Sequence, residues 1–180
     1  ERACPWADPV TGKSSDVWGE GLGWYALAMV EALESIPARH KGYKEVKDIF
    51  VRMADALKRT QDPLSGGWYQ VVDKGDMPDN WIETSGTAMF TYALKQGINL
   101  GILSEKEYGR VVENGYRSIT NHAVINEKGL VDIYEACDGV GVQTGYDKYI
   151  NYRRSINAKE AVVGFVWATE IMEREAIKKS

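Results

Sequence analysis

Hydrophobic and polar positions divide the chain into five long helical stretches separated by Gly-rich connections. The first, VWGEGLGWYALAMVEALESI, carries Leu27, Val30 and Leu33 among small Ala26, Ala28 and Ala32, follows a capping residue at Asp16 or Ser15, and is closed by Pro37. The second, YKEVKDIFVRMADALKRTQ, places Val46, Ile49, Phe50, Met53, Ala54 and Leu57 on one stripe, with charges opposite. A break with a short β-like run, Trp68 to Val72, comes next. NWIETSGTAMFTYALKQGINLG then reads as a third helix, stopped near Gly97 or Gly101. Ser104 and Glu107 have capping-box spacing and open a fourth, amphipathic helix through Tyr108, Val111, Val112, Tyr116 and Ile119. A longer break, punctuated by Gly129, Gly139, Gly141 and Gly145, predicts short strands and loops before a last helix, NAKEAVVGFVWATEIMEREAIKKS.

These stretches repeat a theme. GWYALAMVEAL, SGTAMFTYALK and VVGFVWATEIME each begin with a small residue, turn apolar nearly all round and follow a polar or aromatic loop. A helix apolar on most sides is covered by others, whereas the two striped helices have one wet face. The order inner, outer, loop, inner, outer, loop, inner predicts an all-α solenoid or closed α/α toroid. Because the long loops precede the inner helices, they gather at one end and form the expected binding face.

That end would collect Trp18, Glu20 and Trp24 from the first inner helix and Trp81, Glu83, Thr84 and Ser85 from the second. The third would add Asn157, Lys159 and Glu160. Trp68, Tyr69, Tyr134, Tyr146, Tyr149, Tyr152, Arg153 and Arg154 would lie on the loops above. Six Trp and ten Tyr beside three Phe favour aromatics with a polar tip, which suit a surface packed on one side and wet on the other. Aromatic faces stack on sugar rings, carboxylates and amides bind hydroxyls, and converging helix N-termini favour an anion such as a uronic acid. Each residue also has a packing reading. Trp18 and Trp24, six apart, need not share a helix face; Glu20 and Glu83 can be first-turn acids stabilising a helix dipole; Arg153–Arg154 can be a solvated pair.

Other chemistry is poorly served. A net charge of −4 without a basic run argues against nucleic acid, and no apolar run is long enough to span a membrane. Gly19, Gly21 and Gly23 follow no strand, so they are not a dinucleotide fingerprint, and no phosphate loop or serine elbow exists. His40 and His122 share no ligand spacing, and Cys4 and Cys137 lie far apart and read as buried thiols, so no metal or cofactor is expected. Paired carboxylates remain as acid/base candidates: Asp8, Asp16, Glu20, Glu83, Glu135 and Asp138. Residue 1 is Glu rather than Met, and Glu1–Ser15 reads as loop, so sequence is expected upstream and the compartment is not read from this chain.

WADPVTGKSSDVWGEGLGWYALAMVEAL resembles the segment of glycoside hydrolase family 105, the unsaturated rhamnogalacturonyl hydrolases, in which a WAxPxTG loop leads into a WxRGxGWYxxAL helix. GGWYQVVD and NWIETSGTAMFTYALKQGINLGIL are similar to that family's Trp-rich strand and E-[ST]-S-x-[ST]-AMF helix. Family 88, the unsaturated glucuronyl hydrolases, shares the fold. The resemblance implies an (α/α)6 six-hairpin toroid of which residues 1–180 form the C-terminal half. It also implies an oligosaccharide substrate ending in a 4,5-unsaturated uronic acid, and a role in pectin degradation. An Asp protonates the vinyl-ether double bond, water adds at C5, and the hemiketal collapses to release the next sugar. This is hydration, so the carboxylate-spacing rule of ordinary glycosidases does not apply.

Carried onto this chain, Trp18 and Trp24 match aromatic positions of the family's sugar site, Glu20 stands where the pattern has Arg, and Glu83 opens the second inner helix. The catalytic Asp would fall upstream of Glu1, which would leave this piece inactive by itself. Asn157, Gly164 and Phe165 match an NDxxGxGxF-like segment whose Asp and first Gly are lost. Two other readings stay open: a carbohydrate-binding remnant without turnover, and a helical-repeat scaffold for another protein. Half a toroid would leave an inner flank uncovered and would self-associate.

Overall fold

The computed structural model describes residues 6–139, 141 and 145–177. Its helices are α1 (Gly19–Ser35), α2 (Tyr43–Thr60), α3 (Thr84–Asn99), α4 (Glu105–Asn121), α5 (Tyr146–Ile150) and α6 (Lys159–Ile177). The short strands are β1 (Ala123–Ile125), β2 (Val131–Ile133), β3 (Ala136–Cys137) and β4 (Arg154–Ser155), paired β1–β2 and β3–β4, both antiparallel. This is the all-α architecture with strands confined to loops that the periodicity predicts.

Helix α3 packs against α1, α4 and α6, and α2 packs on α1. Burial follows the predicted division into inner and outer helices. Twelve of the sixteen residues of α3 are buried, against only Phe50, Met53, Ala54 and Leu57 in the eighteen of α2. The inner helices approach closely through glycines. A Cβ on Gly86 of α3 would stand 3.1 Å from the backbone carbon of Gly19, and one on Gly164 of α6 would stand 3.0 Å from the Ala88 Cβ. Trp68 closes the core beneath them, 1% exposed, its indole N–H donating to the Leu57 carbonyl at 2.8 Å and its ring edge-on to Phe90.

The run from Trp68 to Val72 is extended, as expected, but makes isolated bridges (Trp18 with Val71, Tyr69 with Ile82) rather than a ladder. It lies between the approaches to α1 and α3. Val72 donates its backbone N–H to Val17 and Gly19 to Gln70; on the other side Gln70 donates to Trp81 and Glu83 to Trp68. These four backbone bonds align the starts of the two helices.

Several local expectations are corrected. Trp18, not Asp16 or Ser15, is the N-cap of α1, with no side-chain cap bond. Asp16 is instead buried and paired with Lys74 at 2.7 Å. The helix expected from Asn80 starts at Thr84, because Trp81 and Ile82 are held extended against the 68–72 run. Ser104 makes no side-chain cap; the Glu107 N–H donates to the Ser104 carbonyl, a tight first turn that replaces the capping box. Helix α5 occupies part of a segment expected to hold strands and loops only. No helix among the described residues is long and apolar enough to cross a membrane.

Candidate functional site

The three inner-helix N-termini come together. Glu20, in the first turn of α1, interacts electrostatically with Glu83 at the start of α3 and with Lys159 and Glu160 at the start of α6. Trp18 and Trp24 leave α1 in different directions. Trp18 is half-buried, stacked on Tyr149 with ring centroids 5.8 Å apart, and packs against Trp81. Trp24 is 41% exposed, edge-on to Trp167 of α6 at 6.3 Å. The two indoles therefore have different neighbours, Tyr149 and Trp81 for Trp18 and Trp167 for Trp24.

Glu83, whose charge acts on Glu20, turns both oxygens into the protein. It is 1% exposed and is the N-cap of α3. Oε1 accepts from the backbone N–H of Ser85 at 3.0 Å and of Cys137 at 3.1 Å, and Oε2 accepts from the Gly86 N–H. The Ser85 hydroxyl reaches both oxygens at 2.8 Å. Burial pushes this carboxyl up, and those hydrogen bonds, with the α3 dipole, pull it back.

Glu20 has far fewer donors. It is 4% exposed; Oε1 accepts from the Trp24 indole N–H at 3.4 Å, and Oε2 is buried without a partner. Burial first, and the neighbouring charge of Glu83 second, push its carboxyl up to about 7. Two further polar atoms at this end are buried without partners, the Trp18 indole nitrogen and Oε2 of Glu160.

The other carboxylate candidates are accounted for locally. Asp8 accepts from Val10 and Thr11 in an exposed turn. Asp16 is pushed up by burial, but Ser15 and Lys74 outweigh it and hold the carboxyl below its ordinary value. Glu135 pairs with Arg154 at 2.7 Å, and Asp138 with Arg153. The arginine pair is thus neutralised residue by residue, and Arg154 also lies 4.2 Å from the centroid of the Trp81 ring.

Some residues expected at the mouth are elsewhere. Trp68 belongs to the core, as its contacts with Leu57 and Phe90 show. Asn157 serves β2, exchanging bonds with the Ile133 backbone and donating to Asp132. Tyr149 is buried under Trp18, and the Tyr69 hydroxyl donates to Asp62. His40 bonds the Gly42 N–H, whereas His122 approaches the Thr84 hydroxyl, so the histidines share no site. Among the described residues no set of three His, Cys, Asp or Glu side chains could hold a metal ion. Cys137 is buried and accepts a bond from the Gln70 side chain; Cys4 lies outside the described residues.

Residues 1–176 match the model of Glycosyl Hydrolase Family 88. The chain belongs to this family. A glycoside hydrolase from family 105 of C. acetobutylicum superposes with a TM-score of 0.89 at 29% identity, over 96% of this chain and 50% of that one. A family 88 glycosyl hydrolase from Bacteroides vulgatus gives a TM-score of 0.71 at 27% identity, over 92% and 45%. The fold is that of these six-hairpin toroid proteins. In sequence, the chain is 33% identical over 114 residues to Protein Atu3128 of Agrobacterium fabrum, covering 63% of this chain and 48% of that protein. It is 32% identical over 118 residues to the unsaturated 3S-rhamnoglycuronyl hydrolase of an Alteromonas species, covering 64% of this chain and 27% of that enzyme. The chain thus spans about half the length of the first of these relatives and about a quarter of the second.

Sequence reasoning named Trp18, Glu20, Trp24 and Glu83; Glu20 feels the charge of Glu83 and accepts from Trp24, whereas Trp18 packs against Trp81 and Tyr149. It did not single out Lys74 as the partner of Asp16 or Arg154 as a cover for Trp81. Both contacts join residues far apart in the chain and leave no local pattern.

Proposed function

We propose that residues 1–180 are the C-terminal half of an (α/α)6 toroid that hydrolyses unsaturated uronyl oligosaccharides produced by polysaccharide lyases. The observation that carries this reading is the exposed Trp24 indole bonded to the buried Glu20 carboxyl where three helix N-termini converge. An indole face stacks on a sugar ring, and helix N-termini favour its carboxylate. Trp24 and Glu20 face the sugar in this reading, while Trp18 and Glu83 hold the wall behind them. The reaction is hydration: a proton is delivered to C4 of the double bond, water adds at C5, and the hemiketal opens to free the next sugar. The name of the Alteromonas relative supports this substrate class.

The test is loss of the ultraviolet absorbance of the conjugated double bond when the complete gene product meets lyase-digested pectin, glycosaminoglycan or ulvan. Loss with one of these substrates is expected, with none from residues 1–180 alone; no loss with any removes the reading. A sugar-binding role without turnover has one observation in its favour. Of the six candidate carboxylates, all but Glu20 are engaged by cations, by hydroxyls or by backbone N–H groups. Saccharide binding by the complete gene product with no turnover would establish it.

A further inference from the structure

Glu20 combines three features that packing alone does not require. Its carboxyl is 4% exposed, its one bond is a long 3.4 Å contact, and its second oxygen is buried without a partner. The ionisable groups facing it come from both neighbouring helices. Helix α3 supplies Glu83, and α6 supplies Glu160 with Lys159, whose ammonium stands 3.7 Å from Oε1 of Glu160 in open solvent. The acids of the adjacent β3–β4 segment, Glu135 and Asp138, are matched by Arg154 and Arg153.

Two buried carboxyls side by side do not both ionise readily, and the one with more donors keeps the charge. Glu83 accepts from three backbone N–H groups and a hydroxyl. Glu20 has a single weak donor, so the proton rests on Glu20. The indole bonded to it is the exposed Trp24, so a ring stacked there lies one side chain away from the proton.

Resting on the reading that the mouth takes an acidic sugar, we propose that Glu20 sets the charge requirement of that mouth. Its neutral carboxyl admits an anionic sugar end over Trp24, and its carboxylate, added to those of Glu83 and Glu160, excludes it. The titration of Glu20 near 7 places the change within the working range of an enzyme. A ligand that binds only the protonated form weakens by up to about tenfold for each pH unit above that value.

The experiment follows KM and kcat of the complete gene product from about one unit below to about two units above the Glu20 value of about 7. The probes are the unsaturated disaccharide from lyase-digested rhamnogalacturonan and its uncharged methyl ester. The expected result is a KM for the acid that climbs toward about tenfold per unit, a flat KM for the ester, and loss of the slope in E20Q, whose amide stays neutral throughout. A flat KM for the acid, or a slope that persists in E20Q, overturns the inference and leaves the hydrolase reading intact. Loss of kcat in E20Q without change in the KM slope also overturns it, assigning Glu20 to proton transfer. Where neither probe is turned over, calorimetric titration of the acid decides. Binding that weakens with pH in wild type and not in E20Q supports the inference while removing the hydrolase reading, and absence of binding overturns both.

Discussion

The backbone N–H of Cys137 donates to Oε1 of Glu83 at 3.1 Å, so the acid that caps α3 also anchors β3. One buried side chain thereby ties a helix start to the loop segment that precedes α6. In E83Q the amide group places its own N–H donors against those of Ser85, Gly86 or Cys137, leaving buried donors unpaired. The expected loss is about 2–4 kcal/mol in urea denaturation. E83Q also removes the charge that raises Glu20, so the Glu20 titration, followed by carboxyl carbon resonance, should move downward; an unmoved value would contradict the coupling.

Glu20 makes stability depend on pH in a defined direction. Its folded-state value of about 7 lies above its ordinary 4.5, so the native state holds the proton more tightly than the unfolded chain. The resulting stabilisation is complete below 4.5, declines as pH rises, and is gone above about 7. At about 1.4 kcal/mol per unit, the swing is about 3 kcal/mol. E20Q is expected to flatten that decline, so thermal melts of variant and wild type should diverge most on the alkaline side. Parallel curves would mean that Glu20 is not the titrating group.

Gly86 sits where α1 and α3 touch, and an added methyl would meet the Gly19 backbone carbon at 3.1 Å and its carbonyl oxygen at 3.2 Å. Backbone cannot rotate away as a side chain can, so the helices must part by a few tenths of an ångström. Gly86→Ala should cost about 1–2 kcal/mol despite its better helix propensity. Saccharide affinity should fall with it, since Glu20 lies next to Gly19. A stabilised variant in chemical denaturation would show the contact to be slack.

Helices α1 and α6 also carry exposed Tyr25, Val166 and Trp167, beside a recess lined by Leu27, Glu31, Tyr92 and Trp167. Apolar surface of this kind associates in water. Residues 1–180 alone are therefore expected to sediment as a dimer or larger species, and Val166→Glu should shift them toward monomer. A monomeric wild type in light scattering, with a cooperative melt, would count against the half-toroid reading.

Helix order and the inner or outer role of each helix were legible in the chain because burial imposes a period on apolar residues. The stripe of α2 and the all-round apolarity of GTAMFTYAL needed no coordinates. Local capping was less legible. Asp16 has the right chemistry to cap α1, yet a cation more than fifty residues away, Lys74, holds it instead. Trp81 reads as helical but is held extended by the backbone of Gln70.

By itself the sequence determined which helices form, which faces they bury and that three of their starts share one end, since these follow from spacing and from where the loops fall. Only the tertiary structure decided what those starts do. It turned Glu83 inward as a saturated cap, gave Trp18 and Trp24 different ring partners, and left Glu20 buried with one donor beside another acid. The reason is that a carboxyl's proton affinity depends on the solvent removed from it and on charges brought close by packing, and neither is written in the residues next to it.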